Sequence, residues 1–397
     1  MAQAVSRRGS DMFLNVGHAL DHLFLLIFPT VVLAMAPEFG KTYSELLPLS
    51  LGGFIMFGVA SLPAGWLADR WSRHGMMTVF FIGIGVAAIL TGAARTTWEV
   101  AAGITLIGVF GAIYHPVGVA MLVSGRDKVG RVLGINGVFG NLGLASAALV
   151  AGAFAHWWSW RAAFIVPGVV AVLIGIAFAV VVPRDRYQPR LTSRRSGGPL
   201  PRGLLVRVFA IVLVASICGG VIFNSTTVAM PKVFDERLQS LVSTTLGVGV
   251  LIFFVYAIAA MAQLVVGYLI DRHPIRNVFV TVAAMQVLLL FLASGSQQAV
   301  MLVVALGMMF FIFGQVPIND AMVAAYTDEH WRARMLSLRY VVSFGANAAS
   351  VPLIAWTYGA TGGFGELFVV LGGMATFMLA MALFYPVRSP RAVPVQA

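Results

Sequence analysis

The chain has 397 residues, of which 59% are hydrophobic and only 10% are charged, and its formal net charge is +11. Soluble domains carry about 25% charged residues, so this composition leaves too little polar surface for a soluble protein. The positive charge would suit a nucleic-acid-binding protein, but the enrichment of Lys and Arg in the cytoplasmic loops of membrane proteins explains it better in a chain this apolar. A single cysteine, Cys218, excludes a disulfide within the chain.

Apolar segments of about 20 residues or more follow one another along the chain, and about 20 residues are needed for a helix to cross a bilayer. The segments do not alternate between apolar and polar residues, which favours helices over a β-barrel. The first segment carries Asp21 and lacks a small-residue cleavage site, so it is a retained helix rather than a signal peptide. We therefore expect an all-α membrane protein with twelve transmembrane helices, numbered 1 to 12, at 12–36, 46–66, 75–94, 98–124, 131–155, 161–182, 204–230, 243–269, 277–295, 299–325, 335–358 and 364–386.

The longest polar connection, residues 183–203, divides these helices six and six. Its sequence, PRDRYQPRLTSRRSGGPLPRG, is rich in Pro, Gly, Ser and Arg, which predicts a flexible linker. We expect two pseudo-symmetric six-helix bundles, at residues 1–182 and 204–397, joined by a cytoplasmic linker.

Lys and Arg predict the orientation. With the N-terminus inside, 21 of the 26 basic residues fall on the cytoplasmic side, and the five on the opposite side are Lys41, Arg95, Arg161, Lys232 and Arg237. Because basic residues are retained in the cytoplasm, both termini are expected there, in a multi-pass protein of the bacterial inner membrane.

Two short matches relate the halves of the chain. Gly65-Trp-Leu-Ala-Asp69-Arg70 returns 202 residues later as Gly267-Tyr-Leu-Ile-Asp271-Arg272, and Phe139-Gly140 returns 205 residues later as Phe344-Gly345. A nearly constant offset indicates duplication. Repeated halves are typical of secondary transporters, whose binding sites lie near the midplane.

Residues 65–75, GWLADRWSRHG, resemble the loop 2–3 signature of the major facilitator superfamily, G-x-L-A-D-R-x-G-R-(K/R), with Ser72 in place of Gly and His74 at a basic position. The resemblance covers the whole chain and implies a transporter that works by alternating access. It also implies a conformational latch, in which Asp69 holds the N-terminus of helix 11 in the outward-open state. The latch residues are Gly65, Asp69, Arg70, Arg73, Asp271 and Arg272. The arginines alone are also explained as orientation anchors, but an aspartate adds little to orientation.

Three further stretches resemble the fosmidomycin-resistance branch of bacterial efflux proteins. They are Asn15-Val-Gly-His18-Ala-Leu-Asp21, Tyr114-His115-Pro116-Val117-Gly118 and Gly140-Asn141-Leu142-Gly143. Val117 stands where that branch usually carries Glu, and this departure bears on both substrate and proton coupling.

Polar groups at membrane depth are costly and mark transport pathways. In helix 1, Asn15, His18 and His22 share one face, and Asp21 reaches it from three residues beyond His18. A carboxyl group beside an imidazole can take up and release a proton, so we expect Asp21, His18 and His22 to couple transport to protons. Two alternatives remain: a polar network that holds helix 1 to its neighbours, and a transition-metal site of His18, His22 and Asp21.

Prolines disrupt helices 4 and 10 beside polar residues. Tyr114 and His115 precede Pro116, while Gln315, Asn319 and Asp320 surround Pro317. We expect these side chains, with Asn15, Asn224 and Arg339, to line the cavity and bind substrate. The alternative is that they satisfy backbone groups opened by the prolines. Arg339 either pairs with Asp320, faces an anionic substrate or extends to the headgroups. We expect Asn141 and Asn347 to form interhelical hydrogen bonds, and the glycines spaced by three in helix 5 to allow close helix approach.

These observations together predict a monomeric transporter that exports a small organic molecule in exchange for protons, without a cofactor and without nucleic acid as a partner. The alternatives are proton-coupled uptake of an organic anion or metabolite, transition-metal transport through the helix 1 cluster, and a non-transporting membrane sensor. An enzyme is not expected, because no Ser-His-Asp arrangement, P-loop or cofactor fingerprint stands out.

Overall fold

A computed structural model describes residues 2–124, 126, 130–184, 201–326, 342–343 and 345–387. Within these ranges, ten helices are long and apolar enough to cross a membrane, and a bent pair, Tyr43–Val59 and Ser61–Arg70, forms an eleventh span. The predicted helix 11 lies partly outside the described residues, and the longest continuous helix described in this region is Ser350–Thr361. The all-α, multi-pass membrane architecture is confirmed.

Helix numbers follow the predicted segments. The helices are α1 (Ala2–Phe39), α2 (Tyr43–Val59 and Ser61–Arg70), α3 (Arg73–Ala93), α4 (Thr97–Val123), α5 (Gly130–Trp157), α6 (Trp160–Val181), α7 (Arg202–Arg237), α8 (Thr245–Arg272), α9 (Ile275–Gly295), α10 (Gln298–Tyr326), α11 (Ser350–Thr361) and α12 (Gly365–Leu383).

Short polar sequences begin the helices where the chain re-enters the membrane. The Ser72 hydroxyl accepts a hydrogen bond from the Gly75 amide at 2.9 Å and caps α3. Before α4, the Glu99 amide donates to Thr96 Oγ1 and the Thr96 amide donates to Glu99 Oε2, which is a complete capping box. Such caps satisfy amides that have no partner within the first helical turn.

The outer face of α6 shows how the helices meet lipid. Leu173, Ile176 and Val180 are spaced by three and four residues, so they lie on one side of the helix, and each is at least half exposed. A contiguous exposed apolar surface of this kind requires an apolar surrounding, which the hydrocarbon core of a bilayer provides.

Contacts divide the chain into two compact units, the first made of Met1–Arg190 and Val228–Ala257, and the second of Leu191–Thr227 and Ile258–Ala397. In the first unit α1 packs along α5, and α3 packs along α6. In the second unit α9 packs along both α10 and α12. The division into bundles at 1–182 and 204–397 stays a prediction, and most of the linker lies outside the described residues.

The glycines of α5 confirm part of the predicted close packing. A Cβ atom at Gly143 would lie 2.0 Å from the Ala19 carbonyl oxygen of α1, and one at Gly140 would lie 2.6 Å from the His18 ring. A Cβ at Gly134 or Gly137 would meet nothing within 4 Å. Only the second pair of glycines therefore serves the contact with α1.

Candidate functional site

A fully buried carboxylate lies at the centre of the first unit. The side chain of Asp21 on α1 has no exposed surface, and neither carboxylate oxygen has a hydrogen-bond partner among the described residues. Its Oδ2 atom lies 3.5 Å from Nε2 of His115 on α4. A buried charge without hydrogen bonds is costly, so a charged Asp21 requires a cation close by.

Three histidines converge beside this carboxylate. His22 Nε2 lies 3.1 Å from His18 Nε2, and one ring nitrogen from each of His18, His22 and His115 lies within 4.8 Å of the others. The His115 ring meets both other rings edge-on, with centroid separations of 5.3 and 5.7 Å. The sequence analysis grouped His18, His22 and Asp21 on one helix, and the structure adds His115 from α4.

A main-chain contact determines the tautomer of His18. Its Nδ1 atom lies 2.8 Å from the carbonyl oxygen of Asn136 on α5. A carbonyl oxygen only accepts, so Nδ1 carries the proton and, in the neutral ring, Nε2 presents its lone pair. In the contact between the two histidines, His22 Nε2 therefore donates to His18 Nε2.

Asn136 connects the three helices that surround the site. Its side-chain nitrogen donates to Asn15 Oδ1 at 3.0 Å and to the Tyr114 hydroxyl oxygen at 2.8 Å. The Tyr114 hydroxyl donates in turn to the Leu14 carbonyl oxygen at 2.8 Å. The sequence analysis missed Asn136, although the rule that polar groups at membrane depth matter, which selected Asn141, applies equally to it.

The local conformation of α4 positions Tyr114 and His115. Tyr114–Gly118 form one turn of π-helix around Pro116, which lacks the amide hydrogen needed to continue the α-helical pattern. Single π-turns are rare and are frequent at functional sites. The Tyr114 ring stacks on His18 with centroids 4.8 Å apart and an interplanar angle of 16°.

A polar stripe on α1 leads from this cluster toward the end of α1 that the charge distribution assigns to the cytoplasm. Asp11, Met12, Asn15, Val132 and Ile135 line a cavity of about 170 Å³. Asn15 adjoins both the cavity and, one turn further along α1, His18. At the end of the stripe farthest from the histidines, Asp11 accepts two hydrogen bonds from Arg126, at 2.5 and 2.7 Å. The side chain of His115 keeps 22% of its surface exposed, although its Nε2 atom, which faces Asp21, is buried.

The second unit contains a separate row of buried amides. Gln315 donates to Asn319 Oδ1 at 2.9 Å within α10, and the Gln286 amide nitrogen of α9 lies 3.5 Å from Gln315 Oε1 and donates to the Phe311 carbonyl oxygen at 3.1 Å. Gln286 was not selected from the sequence. Asn224 uses its amide to join α7 to the start of α11, donating to the Asn347 carbonyl oxygen and to Ser350 Oγ.

The predicted pair of Asp320 and Arg339 stays a prediction, because Arg339 lies outside the described residues. Asp320 itself is half-buried on α10.

The loop signature forms a local ion pair and a repeated ring contact. Asp69 Oδ1 accepts a hydrogen bond from Arg73 at 2.7 Å while its side chain stays 63% exposed. The Arg70 guanidinium lies 4.2 Å from the centre of the Trp66 ring, and Arg272 lies 3.9 Å from that of Tyr268. The repeated sequence thus adopts the same cation–π contact in both copies. The role of Asp69 as a latch stays a prediction.

The profile of the Major Facilitator Superfamily matches residues 16–318 and 238–397. The chain belongs to the major facilitator superfamily. It is therefore a multi-pass membrane transporter of a small-molecule substrate rather than an enzyme.

Several curated relatives match most of the chain. A Na(+), Li(+), K(+)/H(+) antiporter of Planococcus maritimus is 23% identical over 89% of this chain and 89% of its own length. The multidrug resistance protein MdtG of Escherichia coli is 24% identical over 82% of this chain and 80% of its own length. The puromycin resistance protein pur8 of Streptomyces alboniger is 29% identical, but over 41% of this chain and 32% of its own.

Solved structures show the same fold. A bacterial homolog of the human lysosomal transporter Spinster, in an inward-facing, unoccupied conformation, has a TM-score of 0.72 at 13% identity, covering 96% of this chain and 95% of its own. The nucleoside transporter NupG has a TM-score of 0.73 at 12% identity, covering 95% of this chain and 99% of its own. At such identities the similarity concerns the fold alone.

Proposed function

We propose that the protein exports a small organic molecule from the bacterial cytoplasm in exchange for protons, by alternating access, as a monomer in the inner membrane with both termini inside. The observation that carries this proposal is the Asp21 carboxylate, which is fully buried, lacks hydrogen bonds among the described residues and faces His115 at 3.5 Å.

A buried carboxylate suits ion coupling because the free energy of keeping it charged depends on which cation lies beside it. A carboxylate in a low-dielectric interior is stabilised by a nearby cation and is otherwise costly. A proton or a cationic cargo supplies that compensation, and the two cannot both do so fully at once. Competition for one buried anion is a direct way to exchange protons against cargo.

Access supports the same role. The side chain of His115 is partly exposed while that of Asp21 is not, so a proton that reaches Asp21 by way of His115 meets the less buried group first. On the other side of His18, Asn15 adjoins the cavity that Asp11 lines. We propose that His115 and His22 pass protons to and from Asp21, and that His18, held by the Asn136 carbonyl group, orients His22.

Export is supported by the relatives. Two carry drug-resistance names and a third is named a cation/proton antiporter. The residues that resemble the fosmidomycin-resistance branch, above all His18, Asp21 and His115, are those that meet in the site. We therefore propose that the chain stands close to that branch, with Gln315, Asn319 and Asn224 of the second unit contributing to cargo binding.

The test uses inside-out membrane vesicles whose lumen is acidified by respiration and monitored with acridine orange. Puromycin, Na⁺, Li⁺ and K⁺, taken from the names of the relatives, are the first probes. Export by exchange predicts that a transported probe releases protons from the lumen and accumulates there. Proton-coupled uptake, the main alternative, would move probe and protons out of these vesicles together. Accumulation of a probe that is unchanged after the pH gradient is collapsed would contradict proton coupling.

A further inference from the structure

We propose that His18, His22 and His115, together with Asp21, form an exchangeable binding site for a divalent transition-metal ion of the Zn²⁺ type, and that this ion is a cargo. The assignment of the ion as cargo rests on the proposed function, whereas the binding site rests on geometry alone.

The spacing of the ring nitrogens suits a tetrahedral metal. Zn²⁺ binds histidine nitrogen at about 2.0–2.1 Å, so two ligands at the tetrahedral angle lie about 3.4 Å apart. The Nε2 atoms of His18 and His22 are 3.1 Å apart, and the ring nitrogens of all three histidines lie within 4.8 Å of one another. Side-chain adjustments of up to about 1.4 Å bring the third ligand into range. The Asp21 carboxylate, 3.5 Å from His115 Nε2, lies beside this group and supplies a negative charge close to a bound ion.

The surroundings of His18 are those of a metal ligand. Metal-bound histidines usually donate their other ring nitrogen to a carbonyl or carboxylate group, which fixes the tautomer and the ring plane. His18 Nδ1 makes that bond with the Asn136 carbonyl oxygen at 2.8 Å, and the Tyr114 ring stacks against its face. The Nε2 lone pair is thereby directed at His22. For His22 to bind the ion through Nε2, its proton moves from Nε2 to Nδ1, which leaves a lone pair on each of the two Nε2 atoms.

The charge and the ligand types determine which ion fits. Imidazole nitrogens favour Zn²⁺, Cu²⁺, Ni²⁺ and Fe²⁺, whereas Mg²⁺ and Ca²⁺ prefer sites made of oxygen atoms. The carboxylate of Asp21 has no hydrogen bond among the described residues and supplies a negative charge next to the three neutral ligands. A dication bound by the histidines therefore stabilises the charged carboxylate of Asp21, which has no hydrogen bond among the described residues to do so.

The partial exposure of the histidine cluster favours a metal ion that exchanges over one that is permanently retained. His22 and His115 are half-buried, while His18 and Asp21 are buried. Two of the three histidines are thus only partly enclosed, although the Nε2 atom of His115 is itself buried. On the other side of His18, Asp11 and Asn15 place oxygen atoms along the cavity that they line.

The first experiment measures binding of Zn²⁺ to the purified, metal-free protein in detergent by isothermal titration, with Co²⁺ as a spectroscopic probe. We expect one Zn²⁺ per chain, removable by EDTA, and the intense visible absorption of tetrahedral Co²⁺. Weak octahedral Co²⁺ absorption, or no saturable Zn²⁺ binding, would overturn the site while leaving the proposed proton coupling intact.

The second experiment identifies the ligands. His22→Gln, His115→Gln and Asp21→Asn are each expected to weaken Zn²⁺ binding at least tenfold. Matched controls are His273→Gln, in the exposed connection between α8 and α9, and His156→Gln, near the far end of α5. Size-exclusion profiles show which variants fold, and the Co²⁺ spectrum of the unsubstituted protein decides the coordination without any variant. Equal Zn²⁺ affinity in folded cluster variants and controls would overturn the assignment.

The third experiment separates cargo from site. Proteoliposomes are tested for movement of ⁶⁵Zn²⁺ with and without a pH gradient. Gradient-driven movement supports both proposals. Movement that ignores the gradient supports metal cargo and contradicts proton coupling. Tight binding with no movement retains the site and overturns the cargo role.

Discussion

The Asp21 carboxylate on α1 lies 3.5 Å from Nε2 of His115, which stands in the π-turn of α4. Single π-turns are rare in helices and are frequent at functional sites. The contact therefore places a buried carboxylate against an irregular turn of α4. The charge that accompanies Asp21 is therefore positioned to influence the conformation of α4.

The close packing of Gly140 against His18 predicts the effect of a substitution at Gly140, and Gly137 provides the control. Gly140→Ala places a Cβ atom 2.6 Å from the His18 ring, and that ring is held on its other side by Tyr114. Overpacking of this kind costs about 1–3 kcal/mol, so we expect a lower melting temperature and reduced transport. Gly137→Ala, one turn away in open space, should stabilise α5 slightly because alanine favours a helix by up to about 1 kcal/mol over glycine. Equal melting temperatures for the two variants would contradict the described packing.

Asn136→Ala tests the polar connection between helices. The substitution removes two hydrogen bonds, to Asn15 and Tyr114, and leaves buried polar atoms without those partners. We expect a loss of about 1–3 kcal/mol in unfolding free energy, seen as a lower thermal midpoint in detergent. Asn277→Ala, at an exposed position near the start of α9, is the control and should leave the midpoint unchanged. An equally small effect of both substitutions would show that the network does not join α1, α4 and α5.

Asp69→Asn tests whether Asp69 controls the conformational state of the transporter or only pairs with Arg73. The pair of Asp69 and Arg73 is exposed, and exposed pairs contribute about 0–1 kcal/mol, so the thermal midpoint should hardly change. If Asp69 also engages helix 11 in the outward-open state, the substitution should reduce the population of that state. Labelling of a cysteine introduced on the periplasmic side of the transport pathway measures this population. Glu366→Gln is the control. Unchanged labelling in Asp69→Asn would leave Asp69 as a local partner of Arg73.

The sequence predicted the helices and most of the polar residues of the site, because both depend on simple rules. A run of about 20 apolar residues forms a membrane span, and a polar residue inside it is costly and therefore has a role. Asp21, His18, His22, Tyr114 and His115 were all selected in this way. These rules do not predict the distances between residues on different helices. That His115 meets Asp21 depends on how α4 packs beside α1, and on a π-turn that proline suggests without determining its type.

Two omissions have a similar cause. Asn136 lies among glycines that were interpreted as a packing surface, so its side chain received no role, although it connects three helices. Arg126 was counted among the orientation anchors, and its contact with Asp11 depends on a tertiary approach across 115 residues. Asn136 and Arg126 each fitted one general explanation, and their further contacts are visible only in the structure.

The central claim is that transport is driven through the charge of Asp21. Its most direct test is proton release from acidified inside-out vesicles on addition of a transported probe, compared between the unsubstituted protein and Asp21→Asn at equal protein content. Asparagine keeps the size of the side chain and removes its charge, so we expect proton release to fall at least tenfold while the protein still folds and inserts. Asp235→Asn, in the partly exposed pair with Lys232, should release protons normally. Undiminished proton release by Asp21→Asn would contradict the account.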